Sequence, residues 1–322
     1  MNAMDVYGKP MLNTTAKRCR GSVSAPVILC IVFAVLALFT NRNAASQVTQ
    51  PPLADQLVGG SLTYVVQKGD SLTSIGARFG VGVSALAESN RISVNSILRE
   101  GRRLLIDNRH IVPDVLSDGF VINIPQKMLF FFKQDQPNRA FPVALGRWDW
   151  RTPTGVFTVV IKEENPVWNV PKSIQEEMRR EGKVVEERVP PCPENPLGKH
   201  WLGLSIRGIG IHGTIAPASI YQFQTHGCIR LNGDDIAEIF PQVREGTPGR
   251  IIYQRLLVAR VGERLFLEVH RDIYRKQPDP LAILSAIAKT HNLEFLLDWS
   301  IAKAIIAKQD GAVHEVTKEG NP

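Results

Sequence analysis

The chain has 322 residues, room for about two domains with their own cores. Hydrophobic residues make up 44% and charged residues 21%, the balance of an ordinary folded protein, which excludes a disordered chain. The net charge of +7 suits an anionic polymer or surface without saying which, and four cysteines are too few for a disulfide framework.

Near the start, Lys17, Arg18 and Arg20 precede an uncharged span, residues 22–40, whose centre reads VILCIVFAVLALF. A basic flank before an apolar run is an export signal, with its positive end left in the cytoplasm. The run is long enough for a signal peptide cut after Ser46 or for a retained anchoring helix, and the sequence favours neither. Residues 1–46 are therefore read as a basic segment plus signal or anchor, the one part expected to meet a membrane. Everything beyond is expected in the periplasm or cell envelope. The exported part keeps Cys192 and Cys228, which an oxidising compartment can join.

Residues 47–61 are polar and rich in Pro and Gly, and read as a linker. After it, Tyr64 to Val66 reads as a strand and KGD as a turn, with Asp70 or Ser71 capping a helix that buries Leu72, Ile75 and Phe79. Ser84 opens a second helix with Leu86 facing inward, and Leu104 to Ile106 returns as a strand. With YVVQKGDSLTSIGARFGV at its opening and LREGRRLLI at its close, this stretch resembles a LysM domain. The resemblance implies a module over 62–107 that binds glycan containing N-acetylglucosamine. Gly69, Asp70, Ser71, Leu72 and Thr73 would form its contact turn, with a facing loop near Ile97 to Arg99. The alternative is a helical spacer without a ligand.

From Gly119 the pattern becomes β. FVINIP, KMLFFFK, RAFPVALG and GVFTVVIK are strand-like runs separated by Pro, Gly and Asn, and TPTG (152–155) is turn chemistry. SIQEEMRREG (173–182) is a charged, helix-forming insertion, followed by a Pro-rich loop and a strand at Trp201 to Ile206. DDIAEIFPQV reads as a short helix, and GRIIYQRLLVARVGERLFLEV supplies closing strands. Trp148, Trp150, Trp168 and Trp201 are read as core without chemistry. These features give a catalytic domain over 118–255 and, over 256–322, closing strands with a helical extension. In that extension Asp279 and Pro280 start one helix. A second is expected to put Leu293, Leu296, Leu297, Ile301, Ala304 and Ile305 on one face, with Phe295, Trp299 and Ile306 on another.

Within IHGTIAPASIYQFQTHGCIRL (211–231) two His-Gly dipeptides occur, the second leading straight into a cysteine and an arginine. His212 and Cys228 are too far apart for one helical face, but two adjacent strands or loops can join them. A thiol needs a base or a positive field to become a good nucleophile, and a histidine is the usual partner. Glycine after that histidine leaves a backbone carbonyl open to orient its ring. The N–H groups of Gly227 and Cys228 can point at a developing oxyanion, and Arg230, two residues on in a strand, faces the same side as Cys228. A zinc site built from His212, His226, Cys228 and Cys192, and a plain buried thiol, are the competing readings.

HGT…THGCIRL closely resembles the signature of YkuD-type L,D-transpeptidases, with supporting matches in GFVINIPQKMLFFF, TPTGVF and ENPLGKHWLGL. The resemblance implies a mainly β fold, an antiparallel sandwich, accompanied by the α+β LysM module. It implies Cys228 as nucleophile, His212 as base and the Gly213 carbonyl orienting that base, with His226, Gly227, Thr225 and Arg230 shaping the site. Thr225 stands where serine is common, and Cys192 where a glycine is usual. The activity implied is cysteine acyl transfer from a peptidoglycan tetrapeptide stem, with release of D-alanine. The acceptor would be an amine of a second stem or of a wall-anchored lipoprotein. Water as acceptor would make an L,D-carboxypeptidase or amidase, and a zinc-stabilised, non-enzymatic peptidoglycan-binding module is the further alternative. Neither a cofactor, a catalytic metal nor a nucleic-acid partner is expected.

Overall fold

The structure, a computed structural model, describes residues 53–319. The expected export segment and the first part of the expected linker lie outside the described residues. No described helix is long and apolar enough to cross a membrane.

In the first module β1 (Ser61–Val65) pairs antiparallel with a strand at Arg103–Asp107, and two helices, α1 (Leu72–Phe79) and α2 (Val83–Ser89), lie between them in the chain. Ser71 is the α1 cap: its hydroxyl accepts from the Ser74 N–H at 3.1 Å, while Ser74 Oγ accepts from the Ser71 N–H at 2.8 Å. Asp70 turns inward instead, accepting from Tyr64 Oη at 2.6 Å and the Gln67 N–H at 2.8 Å. The second helix starts from Gly82 rather than Ser84. Leu72, Ile75, Leu86, Leu104 and Ile106 form the module's core.

Residues 53–60, expected to be linker from their composition, are tied down. Leu57–Val58 pairs with His110–Ile111, Ala54 bridges Ala259, and Leu53 packs on the C-terminal core. Four apolar side chains within a polar stretch are enough to anchor it.

The central sheet has eight strands. With Arg103–Asp107 as β2, they are β3 (Asp118–Asn123), β4 (Met128–Lys133), β5 (Gln136–Pro142), β6 (Gly155–Glu164), β7 (His200–Leu204), β8 (Gly210–His212), β9 (Ile229–Arg230) and β10 (Pro248–Ile252). Their spatial order is β9-β8-β7-β6-β10-β3-β4-β5. The fold is mainly β as expected, but the sheet is mixed: β8 runs parallel to β9, and β10 to β3. On one face Phe120, Ile122, Leu129, Phe131 and Ile211 pack with Ile236 and Ile239 of the helix Gly233–Ile239, which follows β9. On the other, Val121, Phe130 and Phe132 pack with Ile220, Tyr221 and Ala77 of α1. Covering both faces explains the unbroken apolar run MLFFF. The charged insertion forms a helix at Lys172–Arg180 that buries no side chain.

The C-terminal region builds a second sheet from β11 (Leu256–Val261), β12 (Arg264–Val269) and β13 (Val313–Glu315). Helices Pro280–Thr290 and Trp299–Lys308 share a core with it. The second helix differs from its expected face. Asn292 takes φ 55°, which breaks the helical path, and Asp298 caps a new start by accepting from the Ser300 and Ile301 N–H groups. Ala302 and Ile305 are therefore the buried positions, Ile301 and Ala304 face outward, and Phe295 is 82% exposed.

Where the three segments meet, Glu268 is fully buried. One carboxylate oxygen accepts from His110 Nδ1 at 2.9 Å and His270 Nε2 at 2.8 Å. The other accepts from the Ile111 N–H at 2.7 Å and Gln126 Nε2 at 3.0 Å. His110 Nε2 faces the Gly80 carbonyl of the first module at 2.9 Å. Burial alone pushes the Glu268 carboxyl up; the charge and hydrogen bonds of the two histidines override it and hold it at about 2.

Candidate active site

The parallel pairing of β8 and β9 sets Ile211 opposite Ile229 and His212 opposite Arg230, with Cys228 immediately before β9. Gly227 takes φ +108°, where a side chain is strained, and the turn it makes delivers Cys228 to the strand. Its N–H donates to Thr225 Oγ1 at 3.1 Å. Of the two N–H groups expected to face an oxyanion, that of Gly227 is thus already engaged.

His212 is buried, and its Nδ1 lies 2.7 Å from the Gly213 carbonyl oxygen. A carbonyl only accepts, so Nδ1 carries the hydrogen and Nε2 keeps the basic lone pair. Trp201, read as core without chemistry, stacks on the imidazole at 5.9 Å between centroids and sits opposite it in the β7–β8 ladder. Gly210 makes room, since a Cβ there would lie 2.2 Å from the indole. Burial, reinforced by the Arg230 charge, pushes His212 down to about 3 despite the Gly213 bond.

Cys228 is half-buried, and its thiol donates to the Gly208 carbonyl at 3.7 Å. Burial pushes the thiol up, partly offset by the Gly210 N–H and the Arg230 charge. The resting pair is therefore neutral thiol and neutral imidazole on adjoining strands.

The turn carrying Cys228 is propped from beneath. Thr152, fully buried, donates from Oγ1 to the Gly227 carbonyl at 2.9 Å and accepts there from the Gly146 N–H at 2.9 Å. Tyr274 Oη donates to the Gly146 carbonyl at 2.6 Å and accepts from the Thr152 N–H at 3.1 Å. Sequence reasoning gave Thr152 only turn chemistry and gave Tyr274 no role. The TPTG match was the available signal for the first; nothing local marks the second.

Thr225 corrects an expectation. It was read as shaping the substrate site, but it is buried and its hydroxyl donates to the Cys228 carbonyl at 2.6 Å while accepting from Gly227. It is scaffold for the turn. Arg230 Nη1 donates to Ser219 Oγ at 3.0 Å, whereas its buried Nε has no partner. His226 meets Trp150 edge-on at 4.9 Å, and its Nε2 is hydrogen-bonded to the carboxylate of Glu177 on the insertion helix. Glu177 also accepts from Arg147 at 3.0 Å. Cys192 and Cys228 are both free, Cys192 being exposed. Among the described residues no three His, Cys, Asp or Glu side chains gather as metal ligands, so the tetrad of the zinc reading is not assembled.

In the turn expected to contact glycan, Gly69, Ser71 and Thr73 are exposed, and Gly69 has φ +87°. Leu72 is a correction of side-chain role: it is 3% exposed and belongs to the module's core, leaving only its backbone for a ligand. The Asp70 carboxylate is spent on Tyr64, Gln67 and an ion pair with Arg78 at 3.5 Å.

The L,D-transpeptidase catalytic domain (YkuD) matches residues 117–251, and the LysM domain matches 64–107. The chain is 34% identical over 242 residues to "Probable L,D-transpeptidase YcfS" of Escherichia coli K12, covering 73% of this chain and 75% of that relative. It is 32% identical over 248 residues to "Probable L,D-transpeptidase ErfK/SrfK" of Salmonella typhimurium, covering 75% and 80%. It is also 30% identical over 240 residues to "Probable L,D-transpeptidase YbiS" of Escherichia coli K12, covering 72% and 78%. With these matches laid over the HGT…THGCIRL strands, the chain belongs to the YkuD-type L,D-transpeptidases and carries a LysM module.

Proposed function

We propose that this chain transfers the acyl group of a peptidoglycan tetrapeptide stem to an amine. Cys228 Sγ attacks the carbonyl of the third stem residue while its proton passes to His212 Nε2. The tetrahedral intermediate collapses, the carbon–nitrogen bond to D-alanine breaks, and the leaving amine takes that proton. The acceptor amine then attacks the thioester, gives its proton to His212, and expels the Cys228 sulfur. With the Gly227 N–H committed to Thr225, the Cys228 N–H is the donor of that pair left for the oxyanion. The unpartnered Nε of Arg230 supports a role in holding a substrate carboxylate or carbonyl.

The observation that supports this reading is the β8–β9 pairing with the Nδ1–Gly213 bond, which leaves Nε2 as the basic nitrogen. The LysM module would hold the glycan strand, and the basic-then-apolar start of the sequence supports export to the envelope. The acceptor amine is assigned to a second stem or to a lysine of a wall lipoprotein. Intact mass spectrometry with a disaccharide tetrapeptide tests the reading. A thioester adduct lacking D-alanine is expected on the unmodified protein and absent from Cys228→Ala. An equal adduct on that variant sinks the mechanism. Adding a second stem, a lipoprotein peptide or neither separates crosslinking, attachment and hydrolysis.

A further inference from the structure

A cleft of about 340 Å³ lies between α1 of the LysM module and the turn 217–222 of the catalytic domain. Thr73, Ala77 and Val83 line one wall, and Ile220, Tyr221 and Gln222 the other. Lys127 lies at the cleft with its ammonium 4.2 Å from the Tyr221 ring centroid and 5.5 Å from that of Phe223. The lining contains no acidic residue. The carboxylate that acts on Lys127 through space is Glu268, and both of its oxygens already accept from His110, His270, Ile111 and Gln126. Burial accordingly pushes the Lys127 amine down to about 8.

The backbone adds an independent observation. Lys127 and Tyr221, whose ring the ammonium faces, take φ 56° and 61°. Both are non-glycine residues in the left-handed region, an arrangement that is strained and clusters at ligand sites. One rim of the cleft is Thr73, from the glycan-contact turn. The turn forming the other wall also carries Ser219, whose hydroxyl accepts from Arg230. The cleft therefore joins the glycan side of the molecule to the catalytic side through a single shared turn.

We propose that this cleft is a second recognition site, in which Lys127 pairs with a carboxylate of the peptide stem whose glycan the LysM module holds. The inference rests on the peptidoglycan reading above. A cation over aromatic faces keeps its charge without an internal partner and accepts an incoming anion at little reorganisation cost.

Calorimetry on full-length Cys228→Ala protein tests it with three probes: a glycan oligomer without peptide, a disaccharide tetrapeptide, and the same tetrapeptide with its carboxylates converted to methylamides. Lys127→Gln is expected to weaken the acidic tetrapeptide about tenfold while leaving the amidated and glycan-only probes unchanged. Equal weakening of all three, or of none, overturns the proposal. A second measurement needs no change at Lys127. Acetic anhydride labelling of Lys127 at pH 8 is expected to be blocked by the acidic tetrapeptide and not by the amidated one. Equal labelling with both again overturns it. Failure of every probe to bind the Cys228→Ala protein would remove the peptidoglycan reading as well, whereas binding that ignores carboxylates removes this inference alone.

Discussion

Thr152 is the sharpest place to test how the turn before Cys228 is held. Thr152→Val keeps shape and volume but deletes the hydroxyl that links Gly227 and Gly146 at 2.9 Å each. Two buried backbone groups lose their partner, at about 1–3 kcal/mol apiece, so about 2–6 kcal/mol of stability should go. Thr152→Ser keeps both bonds and loses one methyl, worth about 1 kcal/mol. A displacement of about 1 Å in the turn would also cost about a hundredfold in kcat/KM, which the serine variant should largely restore. Urea unfolding gives the stability terms, and acyl-adduct formation with a tetrapeptide gives the kinetic one. Valine and serine variants that match in both measurements would refute the propping role. A valine variant that loses stability but acylates normally would confine Thr152 to the core.

Alkylation of resting Cys228 by iodoacetamide should titrate above the range of a free thiol, and Arg230→Ala should move that midpoint higher still, because the guanidinium favours thiolate. A midpoint below that of free cysteine overturns the neutral resting pair. Glu177→Gln should raise hydrogen exchange across 172–180, where no side chain is buried, while global stability changes by no more than about 1 kcal/mol. Unchanged exchange would mean that other contacts hold the helix. Glu268→Gln should cost about 3–5 kcal/mol at neutral pH. The folded value of Glu268, about 2, lies below its ordinary 4.5, so its contribution is present above pH 4.5 and lost as pH falls toward 2. Acid unfolding curves that are the same for the two proteins would contradict this.

The sequence carried the parts of this molecule that are written locally. The Ser71 cap, the apolar face of α1 and the strand-like runs around Phe120 and Phe131 are short-range signals, and the HGT…THGCIRL spacing called for two adjacent strands or loops to join His212 to Cys228. Local chemistry could not give the direction of that pairing, because parallel strands are set by the whole sheet. Nor could it give the partners of Thr152, since Tyr274 lies 122 residues away. Glu177 was hidden for a different reason: in a charged helix one carboxylate looks like any other until His226 and Arg147 select it. The linker reading failed because composition averages over Leu53, Ala54, Leu57 and Val58, whose burial depends on strands far along the chain.

Tyr274 and Glu268 have a temporal meaning as well as a spatial one. A ribosome makes His212 and Cys228 well before it reaches either residue, and the contact between His110 and Glu268 spans 158 positions. Loops of that length close late, after local elements have formed. The Thr152 prop beneath Cys228 therefore lacks its Tyr274 support until residue 274 has been synthesised and folded back. A stop codon just after residue 255 yields a product that still contains Cys228, His212 and Arg230. That product lacks the hydroxyl that holds Gly146 and Thr152 in place and the carboxylate that joins the LysM module to the rest.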